Sequence, residues 1–238
     1  MIQLIVYFYN RAGMEKNHSA AQPFFSVIIT TYNREELLKR ALRSLVSQTE
    51  KDWEGIIIDD ESADGTYNLI YPVIKSAGNL TYIRQDHGGE TAAKNAGIKA
   101  AKGLFVTFLD SDDEYAPGHL EYRKSILKAN PFVKFLYGGA KIIGNRFVPD
   151  RNNPAEKIDL KNCVIGGTFF IERNLLLSLN GFRQIYLGTD ADLFDRVKKT
   201  GTEMIQTVHP SYIYHHETED SITNRMMTEE AQGTESKE

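Results

Sequence analysis

A chain of 238 residues with 41% hydrophobic and 25% charged side chains can bury a sizeable core, and it reads as one globular domain. The formal net charge of -4 supplies no global attraction to nucleic acid, so no nucleic-acid partner is expected. The single cysteine, Cys163, excludes an internal disulfide and a cysteine-ligated zinc centre; it is expected as a buried strand residue.

The apolar start, Met1 to Tyr9, is too short to span a bilayer and lacks the basic flank and cleavage site of a signal peptide. Met14 offers an alternative start, so residues 1–23 are set apart as an N-terminal extension. Phe24 to Tyr32 is a continuous β-rich run, the pattern of a strand buried on both faces. Asn33 with Glu36 resembles a helix N-cap and its capping partner, and Leu37, Leu38, Ala41, Leu42, Leu45 and Val46 follow at helical spacing. Trp53 to Asp60 is a second strand, ending in acid. A helix follows Asp64-Gly-Thr, disturbed at Pro72, and Leu80 to Arg84 is a third strand. Residues 90–101 form an alanine-rich helix closed by Gly103. Leu104 to Leu109 is the fourth strand, with Pro117 in the first turn of the next helix.

The second half is less regular. Residues 132–150 and 162–171 look like strands, Glu172 to Leu179 and Asp190 to Lys199 like helices, and Glu203 to His215 like one extended stretch. Residues 226–238 are polar and read as a disordered tail, leaving 24–225 as a single domain. Strands alternating with helices imply an α/β fold with a doubly wound, mostly parallel sheet, in which ligands bind outside the carboxyl ends of the strands. Tyr32-Asn33, Asp59-Asp60 and Asp110 to Asp113 all fall at such ends.

Three carboxylates in four residues at one strand end repel one another and are normally neutralised by a divalent cation with hard oxygen ligands. No phosphate loop of the G-x-x-x-x-G-K-[ST] type and no G-x-G-x-x-G follows the first strand, so a bound diphosphate would be held by metal. An EF-hand is excluded, because Tyr115 stands where the loop needs glycine and a strand precedes it. A phosphate-receiver domain is also a poor fit, since the first acid pair follows the second strand and the chain is too long.

Ser26 to Arg34, Ser44 to Thr49, Asp59 to Thr66, Lys94-Asn-Ala-Gly97, Phe108 to Asp113 and Gly181-Phe182 occur in that order. Together they resemble the glycosyltransferase family 2 enzymes of the GT-A fold, closely from Ser26 to Asp113 and more loosely to Thr223. The resemblance implies an inverting, metal-dependent transfer of a sugar from a nucleotide-sugar, UDP-linked by expectation, to a glycan or lipid-linked saccharide acceptor in surface polysaccharide biosynthesis. It implies that Thr31, Tyr32 and Asn33 line the nucleoside, and that Asp60 accepts a hydrogen bond from the uracil or ribose. Lys94 would lie near the diphosphate, the alternative being a solvated helix lysine. Asp110, Ser111 and Asp112 correspond to the D-x-D motif, with Asp112 in direct contact with Mn2+ or Mg2+, Asp110 meeting the ribose or the metal through water, and His216 a weaker metal ligand. Asp113 is read as a cap for the following segment. Gly89 and the Gly166-Gly167 pair would let backbone approach the sugar. Asp190 fills the slot of the general base, against the alternative of a plain helix cap, with Asp192 as fallback. Thr189 departs from the family pattern, which has Glu there.

Two other readings compete: a relative that binds nucleotide-sugar without turning it over, supported by Thr189, and a sugar-phosphate nucleotidylyltransferase, disfavoured by the missing glycine-rich basic loop. The expected setting is cytoplasmic, with peripheral contact at the inner face of the cell membrane.

Overall fold

The computed structural model describes residues 5–6 and 22–217. In chain order its elements are β1 (Ile5–Val6), β2 (Phe25–Thr31), α1 (Glu35–Val46), β3 (Trp53–Asp59), α2 (Thr66–Ala77), β4 (Leu80–Arg84), α3 (Glu90–Ala100) and β5 (Phe105–Phe108). There follow β6 (Glu114–Tyr115), α4 (His119–Ala129), β7 (Phe135–Tyr137), β8 (Ala140–Gly144), β9 (Phe147–Pro149) and β10 (Lys157–Asp159). The last are β11 (Phe170–Glu172), α5 (Arg173–Ser178), α6 (Thr189–Lys199), β12 (Met204–Gln206) and β13 (Tyr212–His216).

The main sheet has the order β1-β4-β3-β2-β5-β11-β7-β12. Strands β4, β3, β2 and β5 run parallel, so their carboxyl ends share one edge, and β11 enters antiparallel between β5 and β7. Strand β2 shows why the run is apolar throughout: Val27 and Ile29 join one core with Leu38, Leu42 and Leu45 of α1, while Ile28 joins the opposite core with Ile98 of α3. The side-chain period of two sends alternate residues to opposite faces, and helices cover both. A second sheet, β6-β13-β8, lies beside the acidic end of β5 and brings residues 212–216 to residues 113–115.

Several local expectations are corrected. Asn33 does not cap α1; it takes a positive φ of 51°, and Arg34 holds the cap position. Helix α2 continues through Pro72. Helix α3 ends at Ala100 and Gly103 does not close it; a Cβ at Gly103 would lie 2.4 Å from the Ser26 backbone nitrogen, so its role is close packing of two segments. Pro117 precedes the helix, whose cap is Gly118. Most of 162–171 is not strand: two 3-10 turns, Leu160–Asn162 and Gly166–Thr168, precede β11. Cys163 sits half-buried between those turns rather than in a strand. The stretch expected to be continuous from Glu203 is two separate strands, β12 and β13. Ile5–Val6 of the N-terminal extension pairs antiparallel with β4; the rest of that extension up to residue 21, Met14 included, and the polar tail lie outside the described residues.

Candidate active site

At the end of β2, Thr31 is buried, with an enclosed hydroxyl that has no partner, and Tyr32 is 44% exposed. Asn33 links two loops: its backbone N–H donates to Ser62 Oγ at 2.9 Å, and its Oδ1 accepts from the Ala63 N–H at 2.7 Å. The two acids after β3 do different work. Asp59 accepts from the Ser62 N–H and the Tyr82 hydroxyl, which is a structural use. Asp60 is buried, its carboxylate accepts three hydrogen bonds, and His87, bonded to its carbonyl at 3.2 Å, stands beside it. Gln85 Nε2 at 2.7 Å and the Gly88 N–H at 2.9 Å donate to Oδ1 and the Gly89 N–H at 2.8 Å to Oδ2, from which His87 Nδ1 lies 2.9 Å. Gly89 thus serves Asp60 through its N–H, and its φ of 81° makes the turn that opens α3.

The acids after β5 are each tied to a cation or a donor. Lys94 is buried, not solvated; its Nζ lies 2.6 Å from Glu90 Oε1 and 3.3 Å from Asp110 Oδ1. Burial works to lower its pKa, but Asp110, Glu90 and Asp190 outweigh that and hold it well above the ordinary lysine value. Asp112 pairs with Arg34 Nη1 at 2.7 Å, and its carbonyl accepts from Arg40 Nη2. Burial and then Asp110 raise the Asp112 pKa in spite of Arg34. Ser111 is buried between them. Asp113 does not cap α4. Its carboxylate accepts from the Tyr212 hydroxyl at 2.6 Å and the His215 N–H at 2.8 Å, fastening β13 to the acidic loop.

The paired histidines diverge as adjacent strand residues must. His215 turns to Glu114 at 3.0 Å and Glu217 at 3.2 Å. His216 uses Nδ1 against the Asn145 carbonyl at 2.8 Å, and its Nε2 is enclosed without a partner. An Nδ1 that donates to a carbonyl leaves Nε2 as a lone pair, the state in which imidazole ligates metal. Among the described residues no three His, Cys, Asp or Glu side chains already stand gathered as a metal site.

Asp190 lies in the first turn of α6, whose cap is Gly188, so it is no N-cap. Its Oδ2 accepts from the Gly166 N–H at 2.8 Å; its Oδ1 is enclosed and unpartnered. Burial pushes its pKa up to about 6, against the pull of Lys94 and with help from Asp110. Gly166 is required by close approach, since a Cβ there would lie 2.4 Å from Asp190 Oδ1; a Cβ at Gly167 would lie 2.1 Å from the Tyr212 hydroxyl. This pair therefore accommodates Asp190 and Tyr212. Asp192 is committed elsewhere, its Oδ2 held by Arg196 Nε at 2.7 Å, which argues against it as fallback base. Asn95 bonds the backbone of Phe182 in both directions, joining two of the motifs.

Three residues escaped sequence reading. Gln85 and His87 follow β4 on the same edge, where the carboxyl-end rule could have found them. Tyr214 had no such signal; burial and then the charge of Asp113, Asp110, Asp112 and Asp190 raise its pKa.

The family model described as "Glycosyl transferase family 2" matches residues 26–180. An Escherichia coli relative, the UDP-Glc:alpha-D-GlcNAc-diphosphoundecaprenol beta-1,3-glucosyltransferase WfgD, is 33% identical over 63% of this chain and 61% of its own length. A Campylobacter jejuni GalNAc(5)-diNAcBac-PP-undecaprenol beta-1,3-glucosyltransferase is 31% identical over 84% of this chain and 67% of its own. Among solved structures, Staphylococcus aureus TarS 1-349 in complex with UDP-GlcNAc superposes with a TM-score of 0.68 at 23% identity, covering 82% of this chain and 59% of that one. The mannosyltransferase PcManGT from Pyrobaculum calidifontis, in complex with GDP-Man and Mn2+, gives 0.68 at 19% identity, covering 90% and 62%. The fold is that of these GT-A glycosyltransferases.

Proposed function

The chain belongs to glycosyl transferase family 2, and on that premise we propose that it is an inverting transferase moving a sugar from a UDP-sugar to a hydroxyl of a lipid-linked saccharide. The observation that carries the reading is Asp190. It is an enclosed carboxylate with one unpartnered oxygen and a pKa of about 6, on the same electrostatic site as Lys94 and Asp110. A general base works best when its pKa lies near the operating pH. Gly166 fixes one oxygen, leaving the other to take the acceptor proton as that hydroxyl attacks the anomeric carbon. With one base on the face opposite the leaving group, configuration inverts.

Tyr32 and Asp60 would hold the nucleoside, and Lys94 the diphosphate end. The residues fit a divalent cation in charge and donor type: Asp110 and Asp112 offer hard oxygens, and His216 offers the buried unpartnered Nε2. A cation bound there supplies stabilisation of the departing diphosphate. Both curated relatives are named for undecaprenol-diphosphate substrates, which supports a lipid-linked acceptor met at the membrane surface. Among the described residues no helix is long and apolar enough to cross a membrane.

Asp190→Asn is expected to lower kcat by about 10²–10⁴-fold, the usual worth of a general base, while UDP affinity stays within about twofold, because the nucleoside contacts proposed here do not include it. Steady-state transfer assays with titration calorimetry of UDP check both halves. Undiminished turnover would remove Asp190 from the reaction. Asp112→Asn should instead abolish the manganese dependence of donor binding.

A further inference from the structure

The side chain of His87 is half-exposed, yet it is held at two points. Its ring lies over that of Tyr32 with centroids 4.3 Å apart and planes tilted by 32°. Its Nδ1 stands 2.9 Å from Asp60 Oδ2 and 3.2 Å from the Asp60 carbonyl. Both facing atoms are acceptors, so Nδ1 carries the proton and donates. A flat ring lying over Tyr32, with its N–H at the Asp60 carbonyl and 2.9 Å from the carboxylate, fills the space a pyrimidine would take on the same two residues.

Access to Asp60 is blocked while this arrangement lasts: three donors already bond its carboxylate, and the His87 ring, hydrogen-bonded to the Asp60 carbonyl, stands 2.9 Å from Oδ2. The three donors are hard to withdraw: two are backbone N–H groups of the turn into α3, and the third is the amide of the buried Gln85. His87 alone is a half-exposed side chain that can swing out without disturbing backbone. At 4.3 Å between centroids, no base fits between the two rings.

We propose that His87 occupies the nucleobase position of the donor site, and that UDP must displace it from Tyr32 and Asp60 to bind. The inference rests on the reading of those two residues as the nucleoside wall. Donor affinity is then reduced by the fraction of molecules in which His87 is seated. His87 therefore sets affinity and on-rate rather than chemistry.

Calorimetric titration of UDP, with manganese, into the full-length chain and its His87→Ala variant tests this. The variant should bind UDP about tenfold more tightly, the loss of a charge-assisted intramolecular competitor. Histidine-selective NMR of the wild-type chain supplies a second readout that needs no folded His87→Ala. The His87 ring signals, identified by their absence in His87→Gln, should leave their ring-current-shifted positions as UDP saturates. Equal or weaker binding by His87→Ala, or His87 signals unmoved at saturation, would overturn the inference while leaving the nucleoside wall intact. No UDP binding by wild type and variant alike would overturn the wall and the inference together.

Discussion

Under the proposed function the proton transfer falls to Asp190, and its raised pKa would set two measurable pH dependences. A base with a pKa of about 6 must be ionised to act. Activity should thus fall about tenfold per pH unit below 6 and level off above it. The sign for stability is opposite. The folded-state pKa lies above the ordinary value of 3.8, so folding favours the protonated form and stability declines as pH rises from about 4 through 6. Asp190→Asn carries no such penalty. Its melting temperature should exceed that of the wild type at pH 8 and match it near pH 4. A variant less stable than wild type at pH 8 would mean that Lys94 repays the burial of this charge in full.

The 3-10 turn at Gly166–Thr168 and the first turn of α6 form a matched pair, because the turn gives an N–H to Asp190 and has no side chain to displace it. Gly166→Ala should push the carboxylate out of place and lower kcat by about 10²-fold, as expected for a misplaced catalytic group, while UDP binding is unchanged. Kinetics beside UDP calorimetry will show whether the two separate; a parallel loss of both would point to a general collapse of this edge. The turn also shows where sequence reading stops. β2, β3 and β5 were legible because apolar runs ending in Tyr32, Asp60 and Asp110 carry their own punctuation. Gly166-Gly167 is legible in the sequence only as a pair that lets backbone come close; what it comes close to is Asp190 and Tyr212, 24 and 45 residues away. Asn33 misled for a similar cause: its amide spans to Ala63, a contact that no local capping pattern encodes.

At the scale of the molecule, four parallel strands bring Tyr32, Asp60, His87 and Asp110 to one edge, and the small sheet built on β13 closes over it with Tyr212, Tyr214 and His216. The first half of this arrangement follows from the alternation of strands and helices. The second does not, because β6, β8 and β13 are short and pair across about 70 to 100 residues of sequence. On the proposed function, donor contacts would come from the regular half and the base on α6 from the irregular one. Such a division predicts attack from a single side of the anomeric carbon. The most direct test is to follow, by proton NMR at early times, the sugar that the chain releases to water from α-linked UDP-glucose or UDP-N-acetylglucosamine with manganese. The β anomer should appear first, and Asp190→Asn should release about 10²-fold less of it. First appearance of the α anomer, or undiminished release by Asp190→Asn, would contradict the account.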